Sequence, residues 1–474
     1  MNTTYPRPDG TPEKVPPVPG DAAPADAEPS DARRADESSV TTATLAPYRH
    51  PAQLDEEVHL RTTESAEARR QRLSTGALIG IVAAVMLWLV TQTSGTARFA
   101  LSNALDEVQL PTISVPGLPV VLVSALLLAA ACVVYVLPGM GRWRRWAGLV
   151  AGLALVAGFL SWAAAGRSLP FLVSNQLQGT LLLATPLILG ALCGVMCERS
   201  GVVNVAIEGQ MLTAAFAAAV VGSVTGSVTA GLFAAMFAGV LMGAVLALFA
   251  ITYLMDQVVL GVVINLLALG LTSFLFDSLV KPQSGELNDA PLLEPIQIPL
   301  LHKIPLLGDV LFSQTILAYL ALISVVVVWF ILERTVWGLR IRSVGEHPKA
   351  ADTVGINVVA IRWSAVLAGG LFAGLGGSFF TLGVTGAFND DITVGKGFIA
   401  LAALIMGRWR PGLAALMALF FGFVDQLGSQ VQTMGTPISS DWLKLLPYLA
   451  TIVAVAGLIG RVRGPAADGV PYVK

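Results

Sequence analysis

The sequence predicts an all-α, polytopic membrane protein of about twelve transmembrane segments containing two inverted repeats. Three observations lead there. Charged residues make up 13% of the chain against 55% hydrophobic, with a mean hydropathy of +0.72, whereas soluble domains carry about 25% charge. From residue 75 onward, apolar runs follow one another with short breaks, many near the roughly 20 helical residues that cross a bilayer. Arginines gather in alternate breaks, as expected when positive loops stay on the cytoplasmic side.

Residues 1–73 are rich in Pro, Ala, Asp, Glu, Ser and Thr and nearly devoid of bulky apolar side chains. Such a segment cannot bury enough surface to offset its ordering entropy and is expected to be a disordered cytoplasmic tail. The first apolar run begins near Thr75, so no secretory signal is expected. The runs are 75–93, 117–137, 146–165, 177–197, 203–222, 228–254, 257–280, 313–333, 361–384, 393–407, 411–428 and 443–460. Arg69, Arg70 and Arg72 precede the first; Arg142, Arg144 and Arg145 separate the second and third; Arg199 follows the fourth. Arg334, Arg340, Arg342, Lys349 and Arg362 lie between the eighth and ninth, Arg408 and Arg410 after the tenth, and Arg461 and Arg463 after the last. With the N-terminus inside and twelve crossings, all these clusters fall in the cytoplasm, as do both termini.

Between the eighth and ninth runs, Gly345 to Ile356 is a polar island. Glu346 and Pro348 suit a helix start, Ala350 and Ala351 its body and Gly355 its stop. The segment reads either as a short surface helix that touches a partner or as a solvated loop.

Several function classes are disfavoured. The net charge of −2 and the absence of a dense basic tract give no footprint for nucleic acid. No G-x-x-x-x-G-K-[ST] loop is present, so the chain has no such site for ATP hydrolysis. His50, His59, His302 and His347 are scattered and form no zinc motif, and no cofactor is expected. Cys132, Cys193 and Cys197 sit in apolar runs and read as packing residues, with no disulfide framework implied. No nucleophile stands beside a base within the apolar runs, so no catalytic residue is expected.

Ionisable and polar residues inside apolar runs remain as candidates, because the bilayer makes them expensive. Asn204, Glu208 and Gln210 open the fifth run, and Lys396 opens the tenth. Aligning Glu208-Gly209 with Lys396-Gly397 gives two four-helix units of opposite orientation, the pattern of transporters whose interrupted helices mark the translocation route. Glu208 and Lys396 then either line the route or act structurally at helix ends, as a charge pair among other possibilities. Asn204, Gln210 and Asn265 could bond a hydroxylated ligand or join helices, and Asn265 reads as joining helices. Asp425 reads as an interfacial cap. Phe379 and Phe380 read as packing. Gly190 with Gly194, Gly239 with Gly243 and Gly370 with Gly374 have the four-residue spacing of close helix packing.

Three stretches carry a family resemblance. They are Ala184 to Gly190 with Glu198 to Leu212, Gly338 to Asn357, and Gly395 to Trp409. In this order they resemble the permease subunits of bacterial ABC importers for nucleosides and simple sugars. That type is paired with basic-membrane-lipoprotein binding proteins and lies within the branched-chain amino acid and ribose permease superfamily. The resemblance covers roughly 174–463; His347 stands where Asn is commoner in the family, and Lys396 where Arg is.

The resemblance implies a fold related to vitamin B12-type importer permeases, with 166–474 as the permease domain and 74–165 as extra N-terminal helices. It implies a plasma-membrane location, a cytoplasmic ABC ATPase, a second, non-identical permease and an extracytoplasmic substrate-binding lipoprotein as partners. It also implies that 334–360 is the coupling loop, with Glu346, Ala350, Ala351 and Gly355 as docking determinants. Asn204, Glu208, Gln210 and Lys396 are the expected path residues. The rival reading is a secondary transporter driven by an ion gradient.

Overall fold

In a computed structural model of the chain, residues 66–103, 109–436, 442, 445 and 463–474 are described. Most of these are helical, and ten helices among them are long and apolar enough to cross a membrane. The first, α1 (Ala66–Gln92), starts inside the stretch expected to be a disordered tail; residues 1–65 lie outside the described residues. Next come α2 (Gly117–Val136) and α3 (Gly141–Ala164). These three pack around their own core of Met86, Val121, Leu128, Ala154 and Trp162.

The all-α expectation fails locally here. Strand β1 (Thr96–Ala100) pairs antiparallel with β2 (Ile113–Pro116), Phe99 opposite Ile113, and parallel with β3 (Phe171–Leu172). The connections after α1 and α3 thus satisfy their backbone groups in a small sheet, at the bundle end away from Arg69 and Arg142.

The centre of the molecule is α4 (Val173–Arg199), buried along almost its whole length. Around it lie α5 (Ile207–Thr225), α6 (Val228–Ala247), α7 (Gln257–Leu275) and α8 (Ile316–Arg334). The chain continues through α9 (Val336–Glu346), α10 (Pro348–Thr353), α11 (Val358–Phe380), α12 (Lys396–Met406) and α13 (Pro411–Thr433). Leu187, Leu192, Ala403, Leu404 and Phe421 belong to the main core, where α4, α12 and α13 meet.

The small-residue spacings are crossing points. A Cβ on Gly239 would stand 2.3 Å from the carbonyl oxygen of Gly370, so α6 and α11 touch backbone to backbone. Gly194 gives the side chain of Leu404 the same room between α4 and α12. In lipid, where burial gives helices no hydrophobic drive to associate, such close packing holds them together.

Of the expected twelve crossings, one is shorter than a span and one falls outside the described residues. The tenth run forms α12, whose eleven residues rise about 16 Å, half of a hydrocarbon core of about 30 Å. The twelfth run, 443–460, lies outside the described residues except for Leu445.

Candidate functional site

The fifth and tenth runs are both interrupted, and their helical parts begin against one another. Residues 203–206 are irregular and α5 starts at Ile207; residues 387–389 are irregular, 390–395 form turns, and α12 starts at Lys396. Glu208, in the first turn of α5, points into the start of α12. Its Oε1 accepts the amide of Gly395 at 2.9 Å and the hydroxyl of Thr393, and its Oε2 accepts the amide of Gly397 at 2.5 Å. One carboxylate thus faces the amide ends of two helices, its own and that of α12, both of which favour negative charge. A Cβ on Gly397 would stand 2.5 Å from Cα of Glu208, so only glycine lets the backbones approach this closely.

Glu208 and Lys396 do not form the charge pair that their opposite signs invite. The Lys396 ammonium reaches Asp425 on α13 instead, at 2.5 Å, with both side chains about a quarter exposed. The physical reason lies in the backbone: the amides of α12 already occupy both oxygens of Glu208, while the lysine leaves the helix on another face. Asp425, read as an interfacial cap, is the partner of this lysine.

Asn204 and Gln210 form a second cluster. Both are fully buried. Asn204 Nδ2 donates to Gln210 Oε1 and to Cys193 Sγ, each at 3.2 Å, while Asn204 Oδ1 accepts the amide of Ala206. Cys193 Sγ also donates to Gln210 Oε1 at 3.3 Å, and Gln210 Nε2 is buried with no partner among the described residues. The four expected path residues therefore do not converge: Asn204 and Gln210 share one buried cluster, Glu208 turns to the start of α12, and Lys396 turns to α13. Asn265, on α7, accepts the amide of Gly209 at 2.8 Å and donates to the carbonyl of Val205 at 2.9 Å, so it joins helices as expected.

The polar island is a helix, within limits. Helix α10 has Pro348 at its first position and ends before Gly355, whose φ of +85° reverses the chain. Glu346, expected to start this helix, is the last residue of α9. Its carboxylate accepts the amide of Ala466 in the C-terminal segment. Ala351 is buried against Val344 and Val358 with Tyr472 packed on them, while Lys349 and Ala350 are exposed and Val354 is 74% exposed.

Two features escaped the sequence. Gly345 lies so close to the carbonyl of Arg199 that a Cβ there would be 2.1 Å from its oxygen, which presses α9 onto the end of the central helix α4. Residues 463–474 form a strap across the same end. Ala467 donates to the carbonyl of Gly345 at 2.9 Å, and Arg362, almost fully buried, donates to the carbonyl of Val470 at 3.0 Å. Burial pushes the Asp468 carboxyl up to about 7, with Arg362 pulling it part of the way back. Neither feature has a periodic pattern; the buried arginine at Arg362 is the one residue type that signals a missing acceptor.

The family described as the branched-chain amino acid transport system permease component matches residues 176–456. The Guanosine ABC transporter permease protein NupQ of Bacillus subtilis (strain 168) is 43% identical over 315 residues, 64% of this chain and 98% of its own length. The Nucleoside ABC transporter permease protein NupC of Lactococcus lactis subsp. cremoris (strain MG1363) is 39% identical over 319 residues, 65% and 98% of the two chains. No solved structure matches. Helices α1 to α3 precede the matched region, and α4 to α13, with the interrupted helices and the polar island, fall within it. The chain belongs to the branched-chain amino acid transport system permease family.

Proposed function

We propose that this chain is the permease subunit of an ABC importer and passes nucleosides, or related simple sugars, across the bacterial plasma membrane. The observation that carries this reading is the alignment of the chain with nearly the whole length of two permeases named for guanosine and nucleoside transport. A cytoplasmic ATPase supplies the energy, a second, non-identical permease completes the path, and an extracytoplasmic lipoprotein delivers the substrate. Both termini are cytoplasmic, as supported by the arginines at the starts of α1 and α3 and the end of α4. Residues 166–474 form the permease domain, and 74–165 are an added membrane unit.

The ATPase docks on α10. Exposed Ala350 and Val354, with Lys349 beside them, are a small apolar surface with a charged rim, which suits insertion into a protein groove. Ala351 and Gly355 shape the helix, and Glu346 ties it to the strap. Movement of α10 passes through Gly345 to α4, and from α4 to α12. Opening the bundle along α5 exposes Asn204 and Gln210, whose unpartnered Nε2 suits a hydroxyl or a base carbonyl. Glu208 and Lys396 brace the start of α12 at the edge of that route. The facing starts of α5 and α12 support two inverted repeats on a fold related to the vitamin B12-type permeases.

ATP-driven import differs from a gradient-driven carrier in a direct way. Proteoliposomes holding both permeases, the ATPase and the binding protein are expected to take up labelled guanosine only with internal ATP. Uptake without the ATPase, driven by a proton or sodium gradient, would sink the proposal.

A further inference from the structure

At the arginine-rich end of the bundle, α8 and α13 leave a cavity of about 870 Å³ between them. Arg199, Arg334, Arg342 and Arg410 line it, with Glu333 as the one carboxylate in the lining among the described residues. Glu333 accepts from Arg342 at 3.2 Å, while Arg199 donates through Nε to the carbonyl of Trp409 at 2.9 Å and lies in the field of Glu346; Arg334 and Arg410 leave the mouth with an excess of positive charge. The Arg334 guanidinium stacks 5.9 Å from the ring of Trp329. The Arg410 guanidinium has no hydrogen bond or ion pair among the described residues. Pro411, Gly412 and Leu413 line the cavity where the 23-residue helix α13 begins, and Arg410 gives that helix no side-chain cap.

Below this basic mouth the surface changes character. Val326, Trp329 and Phe330 on α8 and Leu413, Leu416 and Phe420 on α13 are all exposed. Trp329 and Leu413 also line the cavity, so exposed apolar side chains of both helices run on from it. A free anion would need only the mouth. Acyl chains would cover these apolar side chains, and interfacial tryptophan marks the depth at which headgroups lie.

We propose that this cavity binds the headgroup of one anionic phospholipid, its phosphate held by Arg334, Arg410 and Arg199 and its acyl chains lying on the exposed apolar side chains of α8 and α13. Basic pockets between transmembrane helices suit such headgroups. The charge excess selects an anionic over a zwitterionic lipid, and the apolar side chains beside the cavity select a lipid over inorganic phosphate. Binding there would join α8 and α13 at the end of the bundle where α9 leads away to α10.

The test is the lipid carried by the full chain purified in mild detergent, read by native mass spectrometry after incubation with phosphatidylglycerol or phosphatidylcholine. Wild type is expected to retain phosphatidylglycerol in preference, and excess inorganic phosphate should not displace it. The double variant Arg334→Gln with Arg410→Gln should retain roughly thirtyfold less at equal lipid, from about fivefold per arginine. The remote Lys281→Gln should match wild type. A thermal scan with each lipid guards against misfolding: wild type should be stabilised by phosphatidylglycerol, and the double variant should melt like lipid-free wild type with either lipid. Equal retention of the two lipids, displacement by phosphate, or full retention by the double variant would each overturn the proposal. Loss of the ATPase subunit from the double variant with phosphatidylglycerol still bound would give the arginines to a protein partner and overturn it as well.

Discussion

The carboxylate of Glu208 accepts the backbone amide of Gly397 at 2.5 Å, across 189 residues of sequence, and so ties the first turn of α5 to the first turn of α12. The lysine between Gly395 and Gly397 points away, to Asp425. This separates two interactions that a charge-based reading merges, and the separation is measurable.

Replacing Glu208 with Ala leaves the amides of Gly395 and Gly397 and the Thr393 hydroxyl without their acceptor. Buried unsatisfied groups cost about 1–3 kcal/mol each, so a loss of at least about 3 kcal/mol is expected on unfolding in mixed micelles. Lys396→Ala should act independently, its effect adding to that of Glu208→Ala within about 0.5 kcal/mol. Lys396 and Asp425 should couple, by about 1 kcal/mol for a partly exposed pair. Strong coupling between Glu208 and Lys396 would contradict the assignment.

Glycine at Gly397 is demanded by contact rather than by helix propensity. Gly397→Ala drives a methyl into the backbone of Glu208 and should destabilise by about 1–3 kcal/mol. At Gly270, in α7, an added methyl would meet nothing within 4 Å. Gly270→Ala should therefore stabilise, by about 0.5–1 kcal/mol. Thermal unfolding of the two variants reads the contrast.

The C-terminal strap should release with rising pH. The Asp468 carboxyl, held up at about 7 against an ordinary 3.8, binds its proton more tightly when the strap is docked than when it is loose. Docking is then fully favoured below about pH 4 and loses stability as pH rises towards 7, by at most about tenfold per pH unit for one proton. Hydrogen exchange of residues 464–474, corrected for the intrinsic pH dependence of exchange, should show protection falling over that window. Asp468→Asn should flatten the profile. Protection that rises between pH 5 and 7 would contradict the account.

The membrane helices were legible because apolar length is written into ten of the eleven runs from 75–93 to 411–428, the run at 393–407 being the exception. The polar island was legible as a helix through Pro348 and Gly355, which act locally. What was hidden depends on backbone groups, which carry no letter of their own. Glu208 suggested a cation because side-chain charge can be read, yet its partners are the amides of Gly395 and Gly397. The paired glycines around Lys396 were the available signal, since they mark a place where another backbone comes close. The strap at 463–474 has no repeat or apolar period, so its contacts with Gly345, Glu346 and Arg362 emerge only in three dimensions. The small sheet of β1 to β3 is missed for a related reason: strands of two to five residues between helices give too little alternation to read.

The sharpest test bears on α10 as the point where an external motor acts. In the assembled importer, Ala350→Trp places a bulky ring on the exposed face of α10 without touching the buried Ala351. The measurement is guanosine-stimulated ATP hydrolysis in proteoliposomes, with the amount of inserted permease checked in the same preparation. Stimulation is expected to fall at least about tenfold, a coupling loss of about 1.4 kcal/mol or more, while the permease remains inserted and folded. Wild-type stimulation in a well-inserted Ala350→Trp variant would contradict the coupling role of α10.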